Sequence, residues 1–158
     1  MALDLTYKLL DAGWALVTIR DGNSEFKFWV SYLNDSLAEL AESAVMIRDG
    51  LELAKVVFMD EPGEAHLIIS RGDDELRYEL RWYGDWCSWG FQLEDSFKLL
   101  HEGRVPEWEF LASIRRQLQS ILREHGEAGY LKSWIEHPFP INSYNNLLEK
   151  SKAEQAAP

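Results

Sequence analysis

Residues 36–50 read Ser-Leu-Ala-Glu-Leu-Ala-Glu-Ser-Ala-Val-Met-Ile-Arg-Asp-Gly, and the way this stretch divides its surroundings decides the fold. Leu37, Leu40, Ala41, Ala44 and Ile47 recur at helical spacing. Ser36 and Glu39 form a capping-box pattern, in which each side chain satisfies an orphan backbone N–H at a helix start. Asp49-Gly50 supplies the stop, because glycine suits the left-handed cap. A single helix is therefore predicted between two blocks of strand-forming residues.

The block before it alternates apolar and polar residues at the period of a half-buried strand. Leu3, Leu5, Tyr7 and Leu9 are interleaved with Asp4, Thr6 and Lys8. Two further β-rich runs, Trp14 to Ile19 and Phe26 to Tyr32, flank the hairpin signal Asp21-Gly22-Asn23. The block after the helix is predicted as strands Lys55–Met59, Ala65–Ser70 and Leu76–Trp82. They are separated by the turns Asp60-Glu61-Pro62-Gly63-Glu64 and Arg71-Gly72-Asp73-Asp74. Residues Phe91 to His101 read either as a further strand or as an irregular crossing.

Pro106 fits a first helical position, where its missing N–H costs nothing. Leu111, Ile114, Leu118, Ile121, Leu122 and His125 then mark one face of a long helix ending at Gly126. A shorter helix follows around Leu131, Trp134 and Ile135 and is cut off by His137-Pro138-Phe139-Pro140. The expected fold is α+β: one antiparallel sheet of about six strands in the order βββ-α-βββ, with helices packed on one face, a long C-terminal one among them. Residues 1–150 are read as a single domain and 151–158 as a frayed tail.

The chain has 158 residues, 46% of them apolar and 27% charged, enough for a core without metal or disulfide support. Its net charge of −11 argues against a nucleic-acid binder that tracks phosphates with Lys and Arg, and against attraction to an anionic membrane. The one cysteine, Cys87, has no partner for an internal disulfide. No uncharged apolar run is long enough for a membrane span, and the N-terminus carries charges where a signal peptide would be apolar. The expected location is the cytoplasm.

The acidic excess is uneven: residues 1–48 carry net −3, 49–110 net −9 and 111–158 net +1. The middle segment holds the candidate partner-binding carboxylates Asp60, Glu61, Glu64, Asp73, Asp74, Glu75 and Asp85. They read as wet turn residues, which suits steering of a basic partner better than acid–base chemistry. Two turns joining sequential hairpin strands fall at opposite sheet ends, so one continuous acidic patch is not implied. Beside them lies the aromatic run Trp82-Tyr83-Gly84-Asp85-Trp86-Cys87-Ser88-Trp89-Gly90-Phe91. Trp82 is assigned to the core. Trp86 and Trp89 either anchor a partner, Trp giving large contact area at low entropy cost, or close the end of the core.

Catalytic and cofactor signals are absent from the sequence pattern. Trp86-Cys87-Ser88-Trp89-Gly90 lacks the first glycine and the βαβ context of a nucleophile elbow. The four histidines make no zinc spacing, and neither a phosphate loop nor a dinucleotide fingerprint occurs. No cofactor is expected.

The Ser36-to-Gly50 helix between two β blocks, the Asp60-to-Glu64 turn and the Trp82-to-Phe91 run give a layout that resembles immunity proteins of bacterial polymorphic and contact-dependent toxin systems. That resemblance implies a neutralising protein–protein interaction with a toxin, often a basic nuclease, and assigns no individual binding residue. Two other functions are compatible with the sequence. One is a small-molecule binder or enzyme with a pocket between sheet and helices lined by Trp29, Trp82 or Trp108. The other is an assembly subunit that forms a homodimer through an exposed strand edge or the last helix.

Overall fold

Alternation in the first block builds a three-stranded meander of β1 (Leu3–Leu9), β2 (Trp14–Asp21) and β3 (Ser24–Ser31). The computed structural model describes residues 3–156, and side chains as far as residue 149. Pairing of Leu5 with Ile19 and of Val17 with Phe28 puts the apolar positions of all three strands on one face. Gly22 makes the β2–β3 turn at φ +62°, a conformation that favours glycine. The second block is a four-stranded antiparallel sheet in simple sequential order: β4 (Leu53–Met59), β5 (Glu64–Arg71), β6 (Leu76–Tyr83) and β7 (Lys98–Val105). Helix α1 (Ser36–Arg48) joins the blocks, and α2 (Glu107–Ser133) and α3 (Ile141–Ala156) complete the chain.

The α+β class stands, but the single sheet of about six strands is replaced by two sheets of three and four strands. The reason lies at the edge of β4, where side chains occupy the groups a neighbouring strand would need. The Val57 N–H donates to Glu39 Oε1 at 2.9 Å, and the Val57 carbonyl accepts from Asn34 Nδ2 at 2.8 Å. Asn34 Nδ2 also reaches Glu39 Oε1 at 2.9 Å, so the two side chains act together as a short substitute strand. This overturns the capping box as well. Asp35 caps α1 by accepting from the Ala38 N–H, while Ser36 is buried and shares a 2.8 Å hydrogen bond with the Tyr7 hydroxyl.

Other departures have equally local causes. β7 takes the last four residues of the stretch Phe91–His101 and continues beyond it to Val105, while the earlier part is loop. A bulge hides its alternation: Leu80 faces His101 and Arg81 faces Leu99, leaving Leu100 without an opposite residue. Pro106 caps α2 rather than entering it. The long helix does end at Gly126, whose backbone is non-helical (φ +66°, ψ 171°), and the shorter helix follows directly across that kink, so that α2 comprises both. Helix α3 was not foreseen, because Ile141, Tyr144, Leu147 and Leu148 are diluted by polar neighbours. Tyr144 and Leu147 are nonetheless buried against the core. The side chains of the tail expected over Ser151–Pro158 lie outside the described residues.

Both sheets and all three helices contribute to one apolar core, in which Leu37, Leu40, Ala41, Ala44 and Ile47 of α1 are fully buried. Polar ties join the sheets. Asp21, at the end of β2, accepts from the Tyr78 hydroxyl and from His101 Nε2, the latter at 2.9 Å. Burial disfavours the Asp21 carboxylate, but these donors outweigh it and hold its pKa below the usual range. Gly103 makes the approach possible, since a Cβ there would fall 2.7 Å from Asp21 Oδ2 and 2.8 Å from the Tyr78 oxygen. Among the described residues no helix is long and apolar enough to cross a membrane.

The outer edge of β1 is closed by α2. The N–H groups of Leu3, Leu5 and Tyr7 donate to Glu109 Oε2, Ser113 Oγ and Gln117 Oε1 at 3.2, 3.3 and 3.1 Å. Four helical residues rise about 6 Å and two strand residues about 6.7 Å, so the two periods run nearly in step. Ser113→Ala would leave the buried Leu5 N–H without a partner. It is expected to lower the unfolding free energy by about 1–2 kcal/mol, read from the urea midpoint, and an unchanged midpoint would contradict this role for the helix.

Candidate functional site

The antiparallel registers sort the candidate residues into two groups. The β4–β5 turn and the β6–β7 loop lie at one end of the four-stranded sheet, and the β5–β6 turn lies at the other. Asp60, Glu61, Glu64, Asp85, Trp86 and Trp89 therefore come together, whereas Asp73, Asp74 and Glu75 stand apart at the far end, all three exposed. Asp60 Oδ1 accepts from the Glu61 N–H at 2.7 Å. The Asp60 carbonyl accepts from Trp86 Nε1 at 2.8 Å, which ties the turn to the loop.

Glu64 is not the wet turn carboxylate that its neighbours suggested. It is the first residue of β5 and fully buried. Its carboxylate accepts hydrogen bonds from His66 Nε2, from the Ser88 N–H at 2.9 Å and from the Ser88 hydroxyl at 2.6 Å. His66 is two residues along the same strand and so on the same face, and its ring lies 4.4 Å from that of Tyr83. Burial pushes the Glu64 pKa up, but the three donors outweigh it and hold the carboxyl below its ordinary range. An anchored carboxylate thus fixes the middle of a long loop to the sheet.

The loop, residues 84–97, is further pinned along its length. The Asp85 N–H donates to Gln92 Oε1 at 2.9 Å, and Gln92 Nε2 donates to the Ser96 carbonyl at 2.9 Å. The Tyr83 hydroxyl donates to the Glu94 carbonyl at 2.5 Å. The Arg81 guanidinium covers the Phe97 ring at 4.3 Å. Gly90 closes the single 3-10 turn Cys87–Trp89 at φ +81°. On this frame Trp86 is half-buried, with its ring 4.9 Å from that of Trp89 and 6.3 Å from that of Phe91. Trp89, Phe91 and Leu93 are 49%, 67% and 74% exposed. The loop carries Asp85, Glu94 and Asp95 and neither Lys nor Arg.

The chemistry open to this arrangement follows from the order of its groups. Ser88 Oγ and His66 Nε2 both bond Glu64 Oε2, and among the described residues no hydrogen bond joins the hydroxyl to the imidazole, so the ring does not hold the serine proton. A carboxylate held below its normal pKa is also a weak base. Burial, followed by the nearby Glu64 and Glu94 charges, raises the Cys87 pKa and keeps the thiol protonated at neutral pH. Among the described residues no group of three His, Cys, Asp or Glu side chains converges as a metal site.

His66, Ser88, Phe91 and Leu93 were not singled out from the sequence. The two-residue spacing of Glu64 and His66 was a legible sign of a shared strand face. The link to Ser88 crosses 24 residues and was not legible. A concavity of about 590 Å³ lies on the outer face of the four-stranded sheet, lined in part by Leu53, Ile68, Arg77, Glu79 and Arg104. It does not involve the three tryptophans assigned to a pocket. Trp29 and Trp108 are exposed, and Trp82 stacks on Phe28 with ring centroids 6.1 Å apart. No protein-family model, curated protein or solved structure matches the chain.

Glu64→Ala would strand the His66 and Ser88 donors and release the loop. It is expected to cost about 2 kcal/mol or more and to raise tryptophan quenching by iodide. In the unaltered protein the Glu64 contribution is complete above the ordinary glutamate pKa, about 4.3. It is lost as pH falls through that value toward the depressed one. Iodide quenching that rises on acidification in the unaltered protein but not in Glu64→Ala would agree; identical pH profiles would not.

Proposed function

We propose that this chain is a protein-binding domain that docks a basic protein through loop 84–97 and the adjoining β4–β5 turn. The single observation behind this reading is that Trp89, Phe91 and Leu93, at alternate positions of one loop, are all exposed while that loop is tethered to a buried carboxylate. Apolar anchors held in place before binding lose little conformational entropy when covered. The surrounding Asp60, Glu61, Asp85, Glu94 and Asp95 leave this end of the sheet without a compensating cation in either connection. Such a field speeds encounter with a cationic surface and disfavours acidic ones.

The partner we favour is a basic toxin domain, neutralised by direct occlusion, in keeping with the resemblance to immunity proteins. In this role the aromatic side chains supply most of the affinity and the carboxylates mainly the association rate. The distant Asp73, Asp74 and Glu75 take no part.

The experiment is calorimetric titration against the product of the gene lying next to this one. Trp89→Ala is expected to weaken binding by about 30-fold, the loss of roughly 2 kcal/mol at an interface anchor. Asp60→Lys with Asp85→Lys is expected to slow association, most strongly at low salt. Asp73→Lys with Asp74→Lys is expected to leave binding nearly unchanged. A neighbouring product that is not basic, or one bound equally well by all variants, would exclude this interface.

A further inference from the structure

Strand β7 is the last strand of its sheet, and among the described residues no hydrogen bond reaches its outer edge. The edges of β1 and β4 are treated differently, since side chains from α2 and from the β3–α1 connection take their backbone groups. On the outward face, β6 and β7 bear two like-charge pairs in successive rows: Arg77 opposite Arg104, and Glu79 opposite Glu102. Like charges directly opposite on neighbouring strands are unfavourable. Arg81 relieves Glu79 at 2.6 Å. Arg77, Glu102 and Arg104 have no ion-pair partner among the described residues. Asp73, Asp74 and Glu75 border a small recess with Arg77 and Arg104 without pairing to either.

We infer that a second copy of this chain pairs with that edge, β7 against β7 in antiparallel fashion, with Gly103 opposite Gly103. A twofold axis perpendicular to the sheet keeps the same face outward in both copies and aligns only residues of the same face. With the axis at Glu102 or at Arg104, like charges meet. With the axis at Gly103, the Glu102 of each copy faces the Arg104 of the other, so the opposite-charge pair forms twice. The outward row then runs Arg77, Arg104, Glu102, Glu79 across the junction, so each like-charge pair borders its opposite. The ladder spans His101–Val105, limited by the Leu100 bulge on one side and by Pro106, which has no N–H, on the other. In this register the start of one β7, where Leu99 is 45% exposed, runs alongside the end of the other. There α2 begins with Trp108, 70% exposed, and these groups offer apolar area beyond the short ladder. The open edge of β3 offers no such incentive, because its Glu25 and Lys27 already pair within the chain at 3.5 Å.

Sedimentation velocity of the full chain between about 1 and 100 μM, a range in which weak interfaces dissociate, tests the pairing. The unaltered protein is expected to shift from monomer to dimer within it. Arg104→Glu alone and Glu102→Arg alone each place like charges at both contacts, and each is expected to weaken the dimer by roughly tenfold or more. Equal amounts of the two variants restore opposite charges at both contacts, so their mixture is expected to form a heterodimer. Circular dichroism melting of each variant confirms that the fold is kept; both positions are exposed. An unaltered chain that stays monomeric throughout, or variants that dimerise as well alone as mixed, would overturn the proposal. The surface lies outside loop 84–97, so either result leaves the basic-partner reading to its own titration.

Discussion

A strand at the edge of a sheet exposes backbone donors and acceptors that water, a side chain or another strand must satisfy, and that requirement organises this molecule. With seven strands in two open sheets among the described residues, the architecture follows from which edges are closed, those of β1 and β4, and which are left open, those of β3 and β7. Glu39 and Asn34 occupy both polar groups of Val57, so β3 has no place beside β4 and the two blocks remain separate sheets. Helix α2 lays Glu109, Ser113 and Gln117 against alternate N–H groups of β1, turning a free edge into an interior seam. Because a helix and a strand advance by similar distances over four and two residues, three contacts hold without distortion.

The same economy of polar groups shapes the acidic end of the second sheet. A carboxylate removed from water is costly unless donors surround it. Glu64 meets that condition by drawing His66 and Ser88 to itself, so the 14-residue connection between β6 and β7 is fixed at its centre rather than only at its ends. Above that tether Trp86 packs against Trp89 and Phe91, while Trp89, Phe91 and Leu93 remain exposed. The Asp21–Tyr78–His101 tie does comparable work between the sheets and depends on the missing Cβ of Gly103.

Periodicity and turn chemistry are local properties, and they carried far. The alternation of Leu3, Leu5, Tyr7 and Leu9, the hairpin at Gly22, the helix from Ser36 and the strand from Leu76 to Trp82 could all be read from neighbouring residues. So could the separation of Asp60 and Glu61 from Asp73 and Asp74, because successive hairpin turns must alternate between sheet ends. What escaped reading involved a residue whose partner lies far away in sequence. Ser36 and Glu39 spell a capping box, yet Glu39 bonds a strand 18 residues on and Ser36 a tyrosine 29 residues back. Glu64 looks like part of an acidic turn, yet it is buried and bonded to a serine 24 residues later.

The chain by itself therefore determined strands β1 to β6, its central helix, its acidic charge and the concentration of tryptophan beside two acidic connections, all through interactions between residues a few positions apart. Tertiary structure alone decided that the strands form two sheets, which carboxylate is buried and which aromatics face outward. Each of those outcomes turns on a buried polar group finding its hydrogen-bond partner, and the partner is brought within reach only when the chain has folded.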